Sequence, residues 1–166
     1  VFDFDNSSGF TAVNTMGSDS SFTADVFAPT LTEVTAVTTP TNDTTPNYTF
    51  SSIEAGTITY GGSCSSSSDT SADTDNNTVT FNTLSEGTYS DCTISVTDSA
   101  GNTSDNLSVS TFTVDTTGPT LSEVTAITTP SSDNTSSYTF SSNDEGTITY
   151  GGSCSSSTSS ASSGNN

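Results

Sequence analysis

The groups in this chain able to do chemistry are three cysteines, nineteen carboxylates and a large excess of hydroxyls. Among its 166 residues there is no Lys, Arg, His or Trp, and Ser and Thr together number 71. A hydroxyl or thiol nucleophile needs a base beside it. Without imidazole there is no Ser-His-Asp triad and no zinc site of the usual kind. The stretch Gly61-Gly62-Ser63-Cys64 resembles a nucleophile loop but has no base to serve it. Glycoside hydrolysis needs two carboxylates converging across a pocket, and nothing in the pattern of Asp and Glu points to such a pair. The chain is therefore expected not to be an enzyme. Its formal charge of -19 offers nothing to displace counterions from a phosphate backbone or to dock on an anionic bilayer. Neither nucleic acid nor direct membrane binding is expected.

Carboxylates without cations repel one another, and a divalent ion would relieve that repulsion. Calcium takes oxygen ligands from Asp, Asn and backbone carbonyls. Asp98 and Asn102 lie in one turn, and Asp115 begins a joint; these three are the candidate metal ligands. Glu33 and Glu123 follow the two joints. The competing reading is a solvated acidic surface. No segment matches an EF-hand or a calcium-binding nonapeptide, so calcium is an optional ligand and no cofactor is required. Seven Asn-X-Ser/Thr triplets, at Asn6, Asn42, Asn47, Asn76, Asn102, Asn106 and Asn134, are candidate glycosylation sites. Their use depends on the secretory system of the cell. The Ser/Thr tracts could equally accept O-linked sugars.

Few apolar residues and charge of one sign also describe a disordered chain. An internal repeat argues otherwise. Residues 31–64 and 121–154 align without a gap at an offset of 90, with 24 of 34 positions identical. The joints repeat as well: Asp25-Val-Phe-Ala-Pro29 matches Asp115-Thr-Thr-Gly-Pro119. The expected division is therefore residues 1–28 as the tail of a preceding degenerate repeat, 29–118 as a complete repeat, and 119–166 as the first half of another. That half is read as truncated, or as completed by a neighbouring subunit.

Within the complete unit apolar residues alternate with polar ones, as in half-buried strands. Segments 31–38, 47–52, 57–61, 78–83, 88–97 and 106–114 carry the pattern. Tyr48 and Phe50 share a face, as do Ile58 and Tyr60, Val79 and Phe81, Ile94 and Val96, and Phe112 and Val114. Turn residues separate these runs, at Pro40 to Pro46, Gly61-Gly62, Ser85-Glu86-Gly87 and Ala100-Gly101-Asn102. Six or seven short strands in 90 residues, with no helical period, predict an antiparallel β-sandwich.

The runs Leu84-Ser-Glu-Gly-Thr-Tyr89, Thr97-Asp98-Ser-Ala-Gly-Asn102 and Val114-Asp115-Thr-Thr-Gly-Pro119 resemble the bacterial immunoglobulin-like repeats of large surface proteins and adhesins. The resemblance covers nearly the whole chain, with residues 1–28 fitting loosely. It implies an all-β fold of tandem sandwiches of about 90 residues, located outside the cell or on its surface, used mainly as a spacer, sometimes with calcium at the joints. Leu84, Gly87 and Tyr89 fit a tyrosine corner. One departure stands out. Cys92 follows Tyr89 by three residues, so a regular strand would put them on opposite faces, and a bulge near Ser90-Asp91 would restore the register.

The repeat also sorts the cysteines. Cys64 and Cys154 occupy one repeat position and Cys92 is the other cysteine of the complete unit, which predicts a Cys64–Cys92 disulfide. Such a bridge contributes roughly 3 kcal/mol on the chain-entropy estimate and places the protein in an oxidising compartment. The expected function is a structural segment of a secreted or cell-surface fibre, filament or adhesin stalk, its partners being neighbouring repeats or identical subunits. The alternative is a ligand- or carbohydrate-binding adhesin module. The loop 41–47 changes to 131–137 without gaining an aromatic or cationic residue, which favours the spacer.

Overall fold

The structure is a computed structural model; it describes residues 11–13 and 21–166, with side chains from Ala24 onward. Most of the expected tail of a preceding repeat, residues 1–10 and 14–20, and with it the triplet at Asn6, lies outside the described residues. The described residues form strands, turns and loops and no helix. Two compact units divide the chain, Val1–Thr116 and Thr117–Asn166.

In the first unit β1 (Thr11–Val13) and β2 (Ser21–Thr23) form an antiparallel pair. There follow β3 (Leu31–Thr35), β4 (Asn47–Ser52), β5 (Gly56–Gly61), β6 (Ser71–Ala72) and β7 (Asp75–Thr80). The unit closes with β8 (Gly87–Tyr89), β9 (Thr93–Thr97), β10 (Leu107–Ser108) and β11 (Phe112–Val114). One sheet runs β3-β4-β7, another β10-β9-β5-β6, and β11 pairs with β8. All these ladders are antiparallel, as the alternation predicts. A parallel bridge between Thr41 and Val114 ties the segment after β3 to the last strand.

Every apolar pair assigned to a common face points inward. Tyr48, Phe50, Val79, Phe81, Ile94, Val96, Phe112 and Val114 are all essentially inaccessible, Ile58 is buried, and Tyr60 packs against them half-buried. Phe81 is the hub. Its ring stacks on Tyr48 at 6.1 Å and on Phe112 at 6.2 Å, and meets Tyr60 edge-on at 6.4 Å. Aromatic contacts of this kind contribute about 0.5–1.5 kcal/mol each beyond area burial. Thr and Ser on the outer faces hydrogen-bond across strands, as in Thr49 with Thr78, Thr88 with Thr113 and Thr32 with Ser51.

The register question at Cys92 resolves in an unexpected way. Segments 88–97 and 106–114 are each interrupted, at 90–92 and at 109–111. Phe112 opposes Tyr89 before the gap and Leu107 opposes Ile94 after it, so the ladder keeps one register throughout. The Val109 amide donates to the Cys92 carbonyl inside the gap. Both strands therefore switch inward parity together, from Tyr89 and Phe112 to Cys92 and Val109. A bulge in one strand alone would have shifted the ladder. Two matched breaks do not.

The second unit contains β12 (Leu121–Thr125), β13 (Thr139–Ser142), β14 (Gly146–Thr147), β15 (Ser160–Ala161) and β16 (Gly164–Asn165). It reproduces the order of β3 to the start of β7 and many of its hydrogen bonds. Ser142 Oγ donates to the Asp144 carbonyl as Ser52 Oγ does to that of Glu54. Tyr150 donates to the Thr158 carbonyl as Tyr60 does to that of Asp69. The Asn166 amide caps the Ser162 and Gly164 carbonyls as Asn77 caps those of Asp73 and Asp75. Both units place a cis proline at the same point, Pro40 and Pro130.

Candidate functional site

Asp98 organises the turn between β9 and β10. Its Oδ1 accepts the amides of Ala100 and Asn102, both at 2.8 Å, and its Oδ2 accepts the Asn102 side-chain amide at 2.8 Å. The turn closes through Gly101, whose φ of 93° suits glycine and strains other residues. Donors on both oxygens, the Asn102 side chain foremost, hold the Asp98 carboxyl below its ordinary value.

Carboxylate oxygens of Asp25, Glu54 and Asp98 lie within 4.8 Å of one another. Asp25 arrives from the segment before β3, Glu54 from the turn between β4 and β5, and Asp98 from the turn after β9. The Asn102 side chain, besides holding Asp98, donates to the Asp25 carbonyl at 3.2 Å. The three negative groups are thus fixed close together with no cationic residue in the sequence to balance them. An all-oxygen donor set suits a hard cation such as calcium, with carbonyls or water completing the six to eight ligands it takes.

Of the three expected ligands, Asp98 and Asn102 are brought together here and Asp115 is not one of the clustered carboxylates. Asp115 follows β11, its amide donating to the Thr41 carbonyl. Its repeat counterpart is Asp25, which does belong to the cluster. Sequence reasoning missed Asp25 and Glu54. The aligned joints, Asp25 with Asp115, carried a signal for the first. Nothing in the sequence brought Glu54 to the turn after β9.

Glu33 has a different task from the one its position after the joint suggested. Its two oxygens accept the Ser110 amide at 3.0 Å and the Ser110 hydroxyl at 2.7 Å. Ser110 lies in the gap of the last ladder, so Glu33 satisfies an amide that the sheet leaves unpaired. Burial alone would raise the Glu33 carboxyl, but the Ser110 donors outweigh it and the value falls below the ordinary range. The Tyr48 hydroxyl lies beside Glu33, buried and outside hydrogen-bonding geometry. Burial and the Glu33 charge together push that phenol well up.

Cys64 and Cys92 are bonded, with Cα atoms 5.2 Å apart and both residues buried. The bridge ties the loop after β5 to the gap between β8 and β9. Cys154 is a free, exposed thiol. The tyrosine corner is present: the Tyr89 hydroxyl donates to the Ser85 carbonyl at 2.8 Å, and its ring stacks on Phe112 at 5.3 Å. Asn42, Asn47, Asn76, Asn106 and Asn134 are exposed. Asn102 is half-buried, and a glycan on its amide would compete with the bonds to Asp98 and Asp25.

Small antiparallel sheets packed on an aromatic core, a tyrosine corner and a buried disulfide define an immunoglobulin-like sandwich. The chain belongs to the bacterial Ig-like domain family, which matches residues 13–116. Domains of this family are typically non-enzymatic modules of extracellular or surface proteins. Neither a curated protein nor a solved structure matches the chain.

Proposed function

We propose that the chain is a structural segment of a secreted or cell-surface fibre or adhesin stalk. Its repeats divide at 29 and 119, and its partners are neighbouring repeats or identical subunits. The observation that carries this reading is the duplication itself. Outward Ser/Thr ladders and turn bonds recur between units, while the loops change without acquiring groups that would grip a ligand. A disulfide of this span and a surface without Lys or Arg, hence without trypsin-type cleavage sites, suit exposure outside the cell. Antibodies raised against residues 29–118 test it on the producing cell by electron microscopy. Label repeated along extracellular fibres or stalks is expected. Label confined to a tip would favour the adhesin module, and label inside the cell would overturn both.

Calcium at the entry end of the unit is part of this proposal. Asp25, Glu54 and Asp98 would hold the ion, with the Asn102 amide keeping Asp25 against the turn. Titration with calcium at constant ionic strength should raise the melting temperature of the chain by several degrees, and Asp98→Asn should abolish the rise. An unchanged melting temperature would remove calcium from the reading. Intact mass of the native protein decides glycosylation, a mass equal to the bare sequence excluding it.

A further inference from the structure

The β3-β4-β7 sheet of the first unit has two unlike edges. A sheet edge offers unpaired amides and carbonyls, and proteins blunt it with bulges, very short strands or blocking side chains. β3 carries a bulge between Glu33 and Thr35, and the Glu33 carboxylate reaches across to the Ser110 amide and hydroxyl. The other sheet ends on β6 and β10, of two residues each. β7 is different. It keeps unbroken register with β4 over its six residues and contains no Pro.

The ladder decides which backbone groups of β7 are open. The Phe81 amide donates to the Pro46 carbonyl, so Val79, Asn77 and Asp75 turn toward β4 while Thr80, Thr78 and Asn76 turn away. The Thr80 amide is taken by Asp69 Oδ2 at 2.9 Å. Those of Asn76 and Thr78, with their carbonyls, have no backbone partner among the described residues, and both residues are exposed. Asp69 closes one end of this open stretch, and Asp73 and Asp75 are exposed at the other.

We propose that the outer edge of β7 binds an extended polypeptide segment, basic at its ends, that adds a strand along Asn76 to Thr78. Strand addition to an open edge draws its affinity from main-chain bonds, and the open groups of these two residues supply them. The neighbouring side chains are small and uncharged: Thr78 bonds to Thr49, and Asn76 lies opposite Ser51. They suit a β-branched run in the occupant. The carboxylates at the two ends then choose among extended chains. A second copy brings the same acids and has no Lys or Arg to meet them, whereas Lys or Arg flanking the run complements both ends. The inference stands on the β7 edge and holds whether or not the protein is a fibre.

The probe is the acetylated, amidated peptide Lys-Thr-Val-Thr-Val-Lys, added to the full chain and followed by amide exchange at single residues. At saturation, exchange at Asn76 and Thr78 should slow by about tenfold or more. Asn77 and Val79, already bonded to β4, should not change. A twin with Glu in place of both Lys should bind about tenfold more weakly at low salt, and added NaCl should narrow that gap. Thr78→Pro removes an amide the fold itself does not use, so the melting temperature should hold while binding falls about tenfold. Methylated peptides make the test independent of how that variant folds. N-methylation of one alternate set of peptide amides should abolish binding, and methylation of the other set should leave it, because a paired strand turns every second amide to its partner. No protection at Asn76 and Thr78, equal binding by the Glu twin at low salt, or equal binding by both methylated peptides would overturn the proposal. So would sedimentation showing that the chain alone forms a pair that Thr78→Pro abolishes, which would make a second copy the occupant.

Discussion

At the scale of single residues, the carboxylates divide by what donates to them. Asp98 and Glu33 each accept several donors, and Asp69 accepts the Thr80 amide together with the Ser68 and Ser66 hydroxyls; all three are held below their ordinary values. A folded value below the unfolded one gives stability that is present above the unfolded value and lost as pH falls through the folded one. For Glu33 the loss therefore begins below its ordinary value of 4.5. Glu33→Gln leaves Ser110 with a weaker acceptor and should cost about 1–2 kcal/mol at neutral pH. Urea midpoints check this: the gap between wild type and variant should narrow as pH falls below 4.5 and close once Glu33 is protonated. A gap that persists in acid would mean that the charge on Glu33 contributes little. Little of this was legible beforehand. Glu33 was visible as a conserved repeat position with no assignable partner, because Ser110 lies 77 residues away and its amide is free only through a break in the ladder.

Among the elements, alternation gave β3, β4, β5 and the inward faces directly, because a period of two leaves one buried set per strand. What it could not give was the matched break at 90–92 and 109–111, since each break makes sense only with its partner across the ladder. The disulfide was legible through the repeat and closes a span of 28 residues. On the chain-entropy estimate it contributes about 3–4 kcal/mol, so Cys64→Ser with Cys92→Ser should lower the unfolding free energy of the first unit by that amount, as read from urea denaturation. The two units offer an internal control on strand pairing. A Cβ at Gly56 would overlap the Thr97 carbonyl oxygen and press on Val96, both in β9. A Cβ at Gly146, the same repeat position, meets only Pro119 at 3.9 Å. Gly56→Ala should therefore destabilise the first unit by more than 2 kcal/mol, while Gly146→Ala leaves the chain's melting profile unchanged. Calorimetry of the two variants checks both outcomes.

For the whole molecule, composition suggested disorder and the fold shows why it misled. A sandwich of this size needs one tight core, and fifteen buried apolar side chains in one cluster supply it; the Ser and Thr excess covers the outer faces as β-branched or small residues that pair across strands. The charge is a separate matter. With nineteen acidic side chains and no basic one, no side-chain salt bridge can form, and every long-range interaction between side-chain charges is repulsive. Compaction brings those charges closer, so the folded state suffers more than the unfolded chain. Screening can therefore only help. The Debye length shrinks from about 30 Å at 0.01 M to about 10 Å at 0.1 M and about 3 Å at 1 M, so most of the relief should come early in a salt titration. Raising NaCl from 0.01 to 0.2 M should increase the melting temperature by several degrees, with little further gain up to 0.5 M. An ordinary protein with mixed charges loses surface attraction over that range and serves as the contrast. A flat or falling response would mean either that cations already held at fixed positions, such as beside the carboxylates of Asp25, Glu54 and Asp98, neutralise the fold, or that the fold is indifferent to its own charge. Repeating the titration in a divalent chelator distinguishes that case: removal of a bound cation restores the dependence on salt, whereas a fold indifferent to its own charge stays flat.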